Sequence, residues 1–210
     1  SAVVAQEKKL VPSEKGTLSR REKLEKIGFV FNDSGKLKGI NGNIFARKIL
    51  RKWILLYTVT EKLFYLYEDG FFRIVEEIEV SDMIRRYVNR LITDCWSTSL
   101  ENQYLPALKR EALTPRPMDS ERDLLNLDNG MLDLRTMKLL PHDPQYGSTI
   151  RIPIRYDPKA QCPRFLKFAD EVFCGRAELI KTVAEMMGYT LTSEVRAQVA
   201  FLLYGGGANG

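Results

Sequence analysis

The run KLFYLYEDGFFRIV, residues 62–75, decides what class of fold this chain can have. Two stretches dense in aromatic and aliphatic residues flank Glu68-Asp69-Gly70, and Asp-Gly between such stretches is the chemistry of a tight hairpin. With ILLYTV (54–59) just upstream, the pattern predicts a hairpin or small meander. The segments on either side switch to helical period. Upstream, Asn43 is placed to cap a helix over IFARKILRKW, whose Ile44, Phe45, Ile49 and Trp53 lie near one face. Downstream, Ser81 can cap a helix in which Ile84, Val88, Leu91 and Ile92 recur at helical spacing. A further helix covers Leu100 to Ala112 and either tolerates Pro106 or kinks there. Helix, hairpin, helix makes the first half helix-rich, and the class is α+β.

The rest of the chain divides by composition. Residues 1–26 read as a basic tail ending in a short helix over Leu18 to Lys26, and 27–113 as the helix, aromatic hairpin and helix module, with FVFN (29–32) a possible strand and NDSGKLKGINGN turn chemistry. TPRPMDSERD (114–123) has two prolines and little that is apolar, so it is the expected linker. Residues 124–158 form a β-hairpin region: Asn129-Gly130 sits between alternating leucines, Arg135-Thr136 can turn a second hairpin, and STIRIPIRYDP (148–158) alternates as an edge strand tolerant of proline. Over 159–210 the period is helical in FLKFADEVF and in AELIKTVAEMMGY, where Gly188 is a plausible C-cap. RAQVAFLLY (196–204) then reads as a strand.

Charge is unevenly placed. The chain carries +5 overall, and residues 8–52 hold 13 Lys or Arg against 4 Asp or Glu. Such a bias favours a polyanion through phosphate neutralisation and counterion release. Within it Arg47, Lys48, Arg51 and Lys52 share one face of a helix, next to an aromatic hairpin, an arrangement like a winged helix with a basic helix against phosphates and a wing beside it. The plainer alternative is an amphipathic helix with a solvated basic face. Tyr57, Phe64, Tyr65, Tyr67, Phe71 and Phe72 could stack unpaired bases, or serve as core and sheet-surface aromatics. Arg85, Arg86 and Arg90 read as exposed helix residues.

Several chemistries are disfavoured. Cys95, Cys162 and Cys174 form no CxxC pair and only His142 could join them, so reduced thiols are expected and no metal site. His142, in PHDPQ, reads as a surface loop residue, and a lone histidine gives no basis for a catalytic triad. The DNG sequence suggests a calcium loop, but an EF-hand's first ligand would fall on Leu125. Asp157 and Asp170 lie on different kinds of element and make no obvious catalytic pair. No apolar run approaches the ~18 residues of a membrane span, and the N-terminus lacks a signal peptide's apolar middle, so a cytoplasmic protein with no membrane partner is expected.

The final stretch, VAFLLYGGGANG (199–210), has two readings. One is a flexible glycine tail. The other is a phosphate-binding loop in which a buried strand delivers the chain to a glycine-rich turn whose N–H groups face phosphate oxygens. Gly205 and Gly210 have the required spacing, and Asn209 suits left-handed turn geometry. The apolar run directly ahead favours the loop.

Three motifs carry a resemblance: NG-x-LDL from Asn129, YDP-x-A-x-CP-x-F from Tyr156, and YG-x-GANG from Tyr204. In order and spacing, Leu124 to Gly210 resembles the stretch leading into the helicase domain of phage- and plasmid-encoded primase-helicases of superfamily 3, which are related to those of poxviruses. YLYEDGFF resembles the family's first half only loosely. The resemblance implies a helical lead-in to an α/β P-loop ATPase core, truncated here. It assigns Gly205, Gly206, Gly207, Ala208, Asn209 and Gly210 to the nucleotide loop, with the Lys and Ser that hold phosphate and Mg²⁺ beyond Gly210. It further implies DNA as partner, a ring that is usually hexameric, and use of ATP and Mg²⁺ by the full-length protein; any primase activity would belong to a separate upstream domain.

These expectations make the chain an accessory, pre-helicase region that engages DNA and helps subunits associate. Phosphoryl transfer needs the lysine's charge and the metal, so this chain alone is expected not to hydrolyse ATP. The alternative is an oligomerisation collar without DNA contact.

Overall fold

The computed structural model describes residues 18–192, 196–202 and 204. They form an α+β fold in the chain order α1 (Arg20–Glu25), β1 (Phe29–Phe31), β2 (Leu37–Ile40), α2 (Gly42–Lys52), β3 (Leu55–Thr58), β4 (Leu63–Glu68), β5 (Phe71–Val75), α3 (Glu77–Leu91), α4 (Thr98–Glu111), β6 (Leu124–Leu127), β7 (Gly130–Asp133), β8 (Lys138–Leu140), α5 (Pro163–Val172) and α6 (Ala177–Thr190). The chain divides into two compact units, one holding the chain up to Ile49 with Ile84–Glu111, the other Leu50–Met83 with the chain from Ala112.

In the first unit α1 opens on a capping box. The Ser19 hydroxyl accepts from the Glu22 N–H, and the Ser19 N–H donates to Glu22 Oε2 at 2.6 Å, which satisfies two donors the helix start would otherwise leave open. Strands β1 and β2 pair antiparallel. The Ile40 N–H donates to Gln103 Oε1 at 2.7 Å, tying β2 to α4. Helix α2 starts two residues earlier than its sequence suggests: Asn41, not Asn43, caps it, accepting from the Ile44 N–H at 3.2 Å. Its buried stripe is Phe45, Ala46 and Ile49, while Ile44 is exposed. Helix α3 begins at Glu77, so Ser81 lies a turn inside it, buried, and is no cap. Val80, Ile84 and Val88 form its fully buried row. Pro106 sits within α4 on an exposed position.

The second unit is built from two three-stranded antiparallel sheets, ordered β3-β4-β5 and β6-β7-β8. Glu68 pairs with Phe71 across a two-residue loop in which Asp69 (φ 50) and Gly70 (φ +87) are both left-handed. Positive φ at both central residues is what a type I′ turn requires, and it matches the right-handed twist of the strands it joins. The second hairpin uses its glycine differently. Its loop is Asp128-Asn129, and Gly130 begins β7, where an added Cβ would lie 2.4 Å from the Leu140 carbonyl oxygen. Glycine there admits the close approach of β8.

Three sequence expectations fail in this unit. Residues 148–158 form no strand; Ile152 makes a single parallel bridge to Leu127, and Ile150 and Ile154 are exposed. The Ile154 N–H, which would extend the pairing, donates instead to the Ile152 carbonyl at 2.7 Å. Gly188 lies inside α6, whose C-cap is Leu191. The described residues of 196–204 are not a strand, and Leu202 and Tyr204 are 89% and 96% exposed. A buried strand exists only with a neighbour to pair with, and no described residue pairs with this run.

Candidate nucleic-acid interface

Helix α2 carries no acidic residue, and its four cations occupy positions i, i+1, i+4 and i+5, adjacent on a helical surface. Burial of Phe45, Ala46 and Ile49 turns Arg47, Lys48, Arg51 and Lys52 outward, and all four are exposed. Their states differ. Arg47 donates to Glu111 Oε1 at 3.0 Å in a half-exposed pair, and the Lys52 ammonium stands 5.2 Å from the Trp53 ring centre. Lys48 and Arg51 have no ion pair among the described residues. Basic residues at a helix C-terminus also complement its dipole, so this face is compatible with a stable helix before any ligand arrives.

The aromatics of the hairpin are largely structural. Phe64, Tyr65 and Phe72 are buried; Tyr57 packs on Phe64 with ring centres 4.8 Å apart, and Tyr67 on Phe72 at 5.1 Å. Tyr57 and Phe64 share one face of the sheet and Tyr65, Tyr67 and Phe72 the other, so these rings pack within the unit rather than present faces to bases. Nor is the turn a free wing, because other segments of the same unit hold it. The Asn126 amide donates to the Gly70 carbonyl at 3.0 Å, Arg151 to that of Asp69 at 2.7 Å, and the Phe72 N–H to that of Ser148 at 2.7 Å. Arg151 also stacks over Phe71 at 5.1 Å.

His142 lies in a loop, as expected, but is half-buried as part of this clamp. Its ring covers Gly70, where a Cβ would come within 2.7 Å of it, and its Nε2 lies 2.8 Å from the Leu127 carbonyl oxygen. Local sequence has no signal for such a contact between residues 72 positions apart. Gly205 to Gly210, the expected nucleotide loop, lie outside the described residues.

A second polar centre was also invisible in the sequence. Tyr65 donates to Glu61 Oε2 at 2.7 Å and Thr58 to the same oxygen at 3.0 Å, in the wall of a cavity of ≈ 640 Å³ that Asp119 also lines. Burial first, then the Glu61 hydrogen bond and charge, then Asp119, push the Tyr65 phenol up to about 12. A folded-state value above the ordinary 10.0 means the neutral phenol stabilises the fold below pH ~10, and that contribution is lost as pH rises toward ~12. Two units correspond to about 3 kcal/mol. Urea denaturation between pH 9 and 12 is expected to show a shallower alkaline loss for Tyr65→Phe than for the parent; equal slopes would refute the assignment.

Among the described residues no group of His, Cys, Asp and Glu could hold a metal ion, and no helix is long and apolar enough to cross a membrane. Set against known families, the chain matches the one described as D5 N terminal like over residues 45–174. That family is the N-terminal part of phage and plasmid D5-like primase-helicase proteins. The matched span takes in the basic face of α2, the aromatic hairpin and its clamp, and it stops before the glycine run. No curated protein matches the chain.

Proposed function

The chain belongs to the D5 N terminal like family, and from that premise we propose that it is the accessory region of a superfamily 3 replicative helicase or primase-helicase, engaging DNA through α2 and assisting subunit association. The observation that carries this reading is the exposed face of Arg47, Lys48, Arg51 and Lys52, on a helix without a single carboxylate and inside the matched span. In this reading ATP and Mg²⁺ serve unwinding in the full-length protein, a hexameric ring, and Gly205 to Gly210 supply only backbone N–H groups to the nucleotide.

Fluorescence anisotropy with single-stranded and forked DNA across a salt series tests it. Four phosphate contacts predict a slope of about −3 in log K against log salt for single strands. Absence of binding at ~50 mM salt, where such contacts are strongest, would remove DNA engagement from the reading.

A second reading, the oligomerisation collar without DNA contact, draws support from α5. Phe165, Leu166, Phe168 and Val172 are exposed on that amphipathic helix, and apolar surface of this kind is normally covered. Assembly by mass in solution without any DNA affinity would favour the collar.

A further inference from the structure

Helix α5, PRFLKFADEV, has a single buried residue, Ala169, and leaves most of its apolar surface open. Phe165, Phe168 and Val172 recur at i, i+3 and i+7 and so line one stripe. Each is at least 40% exposed. Helix α6 lies beside α5 without covering this stripe. A protein helix owes most of its stability to burying such a face, so the open stripe calls for a cover.

The charges bordering the stripe are ordered along the helix. Arg164 and Lys167 stand in its first half, Asp170 and Glu171 in its second. Arg164 and Glu171 are one heptad apart and therefore on the same flank, where both neighbour Phe168. Arg164 has no ion pair among the described residues. Glu171 meets Lys167 at 3.8 Å, but both side chains are largely exposed, and such a pair holds the carboxylate weakly.

We propose that the stripe is covered by α5 of a second copy of this chain, lying antiparallel across it about a two-fold axis near Phe168. In that arrangement Phe165 meets Val172 of the second copy, and the two Phe168 rings meet at the axis. Residues on one flank of an antiparallel pair face the same flank of the other helix, so Arg164 faces Glu171 of the second copy, twice over. Charge selects this sense. A parallel copy would set basic half on basic half and acidic half on acidic half, and a phosphate backbone would meet Asp170 and Glu171. The contact is isologous and closes at two chains, so a ring needs a different, heterologous surface. The proposal rests on the subunit association named above and is independent of DNA engagement by α2.

Sedimentation velocity on the 210-residue chain tests it without DNA. Over about 5–500 µM a monomer–dimer equilibrium with a Kd of about 100 µM is expected, because one short helix buries less than the ~1,000 Å² of a stable complex. Phe168→Glu sets two carboxylates together at the axis and should weaken the dimer at least ~10-fold. Arg164→Glu and Glu171→Arg should each weaken it about tenfold, whereas the double variant, which restores opposite charges across the axis, should return to within about threefold of the parent. That rescue separates a lost contact from lost folding. Assembly that ignores Phe168→Glu, or a double variant no better than either single one, overturns the proposal and leaves subunit association through another face standing. A chain that stays monomeric over the whole range overturns both.

Discussion

Phe45→Ala is expected to lower the unfolding free energy by about 3–5 kcal/mol, the cost of deleting a fully buried aromatic ring whose surroundings cannot collapse into the space. Phe45 has no exposed surface. It stands edge-on to Phe29 at 6.0 Å between ring centres and tilted against Tyr104 at 5.0 Å, and both partners are themselves buried. Because these three rings come from β1, α2 and α4, the cavity would open where three elements of the first unit meet. A domain's whole stability is about 5–15 kcal/mol, so this variant should unfold at markedly lower urea. Ile44→Ala, one residue away but exposed, should stay within about 0.5 kcal/mol, as surface substitutions do. Equal midpoints for the two variants would show that Phe45 is not the keystone of that core.

That contrast between adjacent residues indicates what could be read in the chain beforehand. The α+β class, the Asp69-Gly70 turn and the outward face of α2 rest on local rules: period, turn chemistry, and which side of a helix is apolar. Features that failed are those set by a distant partner. Asn41 and Asn43 are both acceptable caps by composition, and only packing of Phe45 and Ile49 selects the first. The isoleucines of 148–158 alternate correctly for a strand, yet this segment contributes backbone carbonyls and Arg151 to the hairpin clamp instead. His142 gains its role from Gly70, and Asp119 from Thr149, across separations that no local pattern encodes. The family signal was legible in part: NG-x-LDL and YDP-x-A-x-CP-x-F lie inside the matched span, which also reaches back to Phe45 and the aromatic hairpin, whereas YG-x-GANG lies beyond it.

Reversing the α2 face is expected to weaken single-stranded DNA binding by about 10²–10³-fold at ~0.1 M salt, since each phosphate contact contributes about 0.7 to the salt slope and four of them span nearly three decades between 0.1 M and 1 M. The four positions should not contribute alike. Arg47 already pairs with Glu111, so DNA must compete with that carboxylate, whereas Lys48 and Arg51 carry no such pair among the described residues. An exposed pair of this kind is worth about 0–1 kcal/mol, and Arg47→Gln should therefore cost little in either stability or affinity. Arg47→Glu is a poor test, because it sets two carboxylates side by side and confuses unfolding with lost binding. The informative variant is Lys48→Glu, Arg51→Glu and Lys52→Glu together, with thermal melts to confirm that the helix persists and anisotropy at several salt concentrations. A slope smaller by about 2 with a melting temperature near that of the parent places the phosphates on α2. An unchanged slope in a folded variant would move the DNA contact off this helix and leave subunit association as its remaining use.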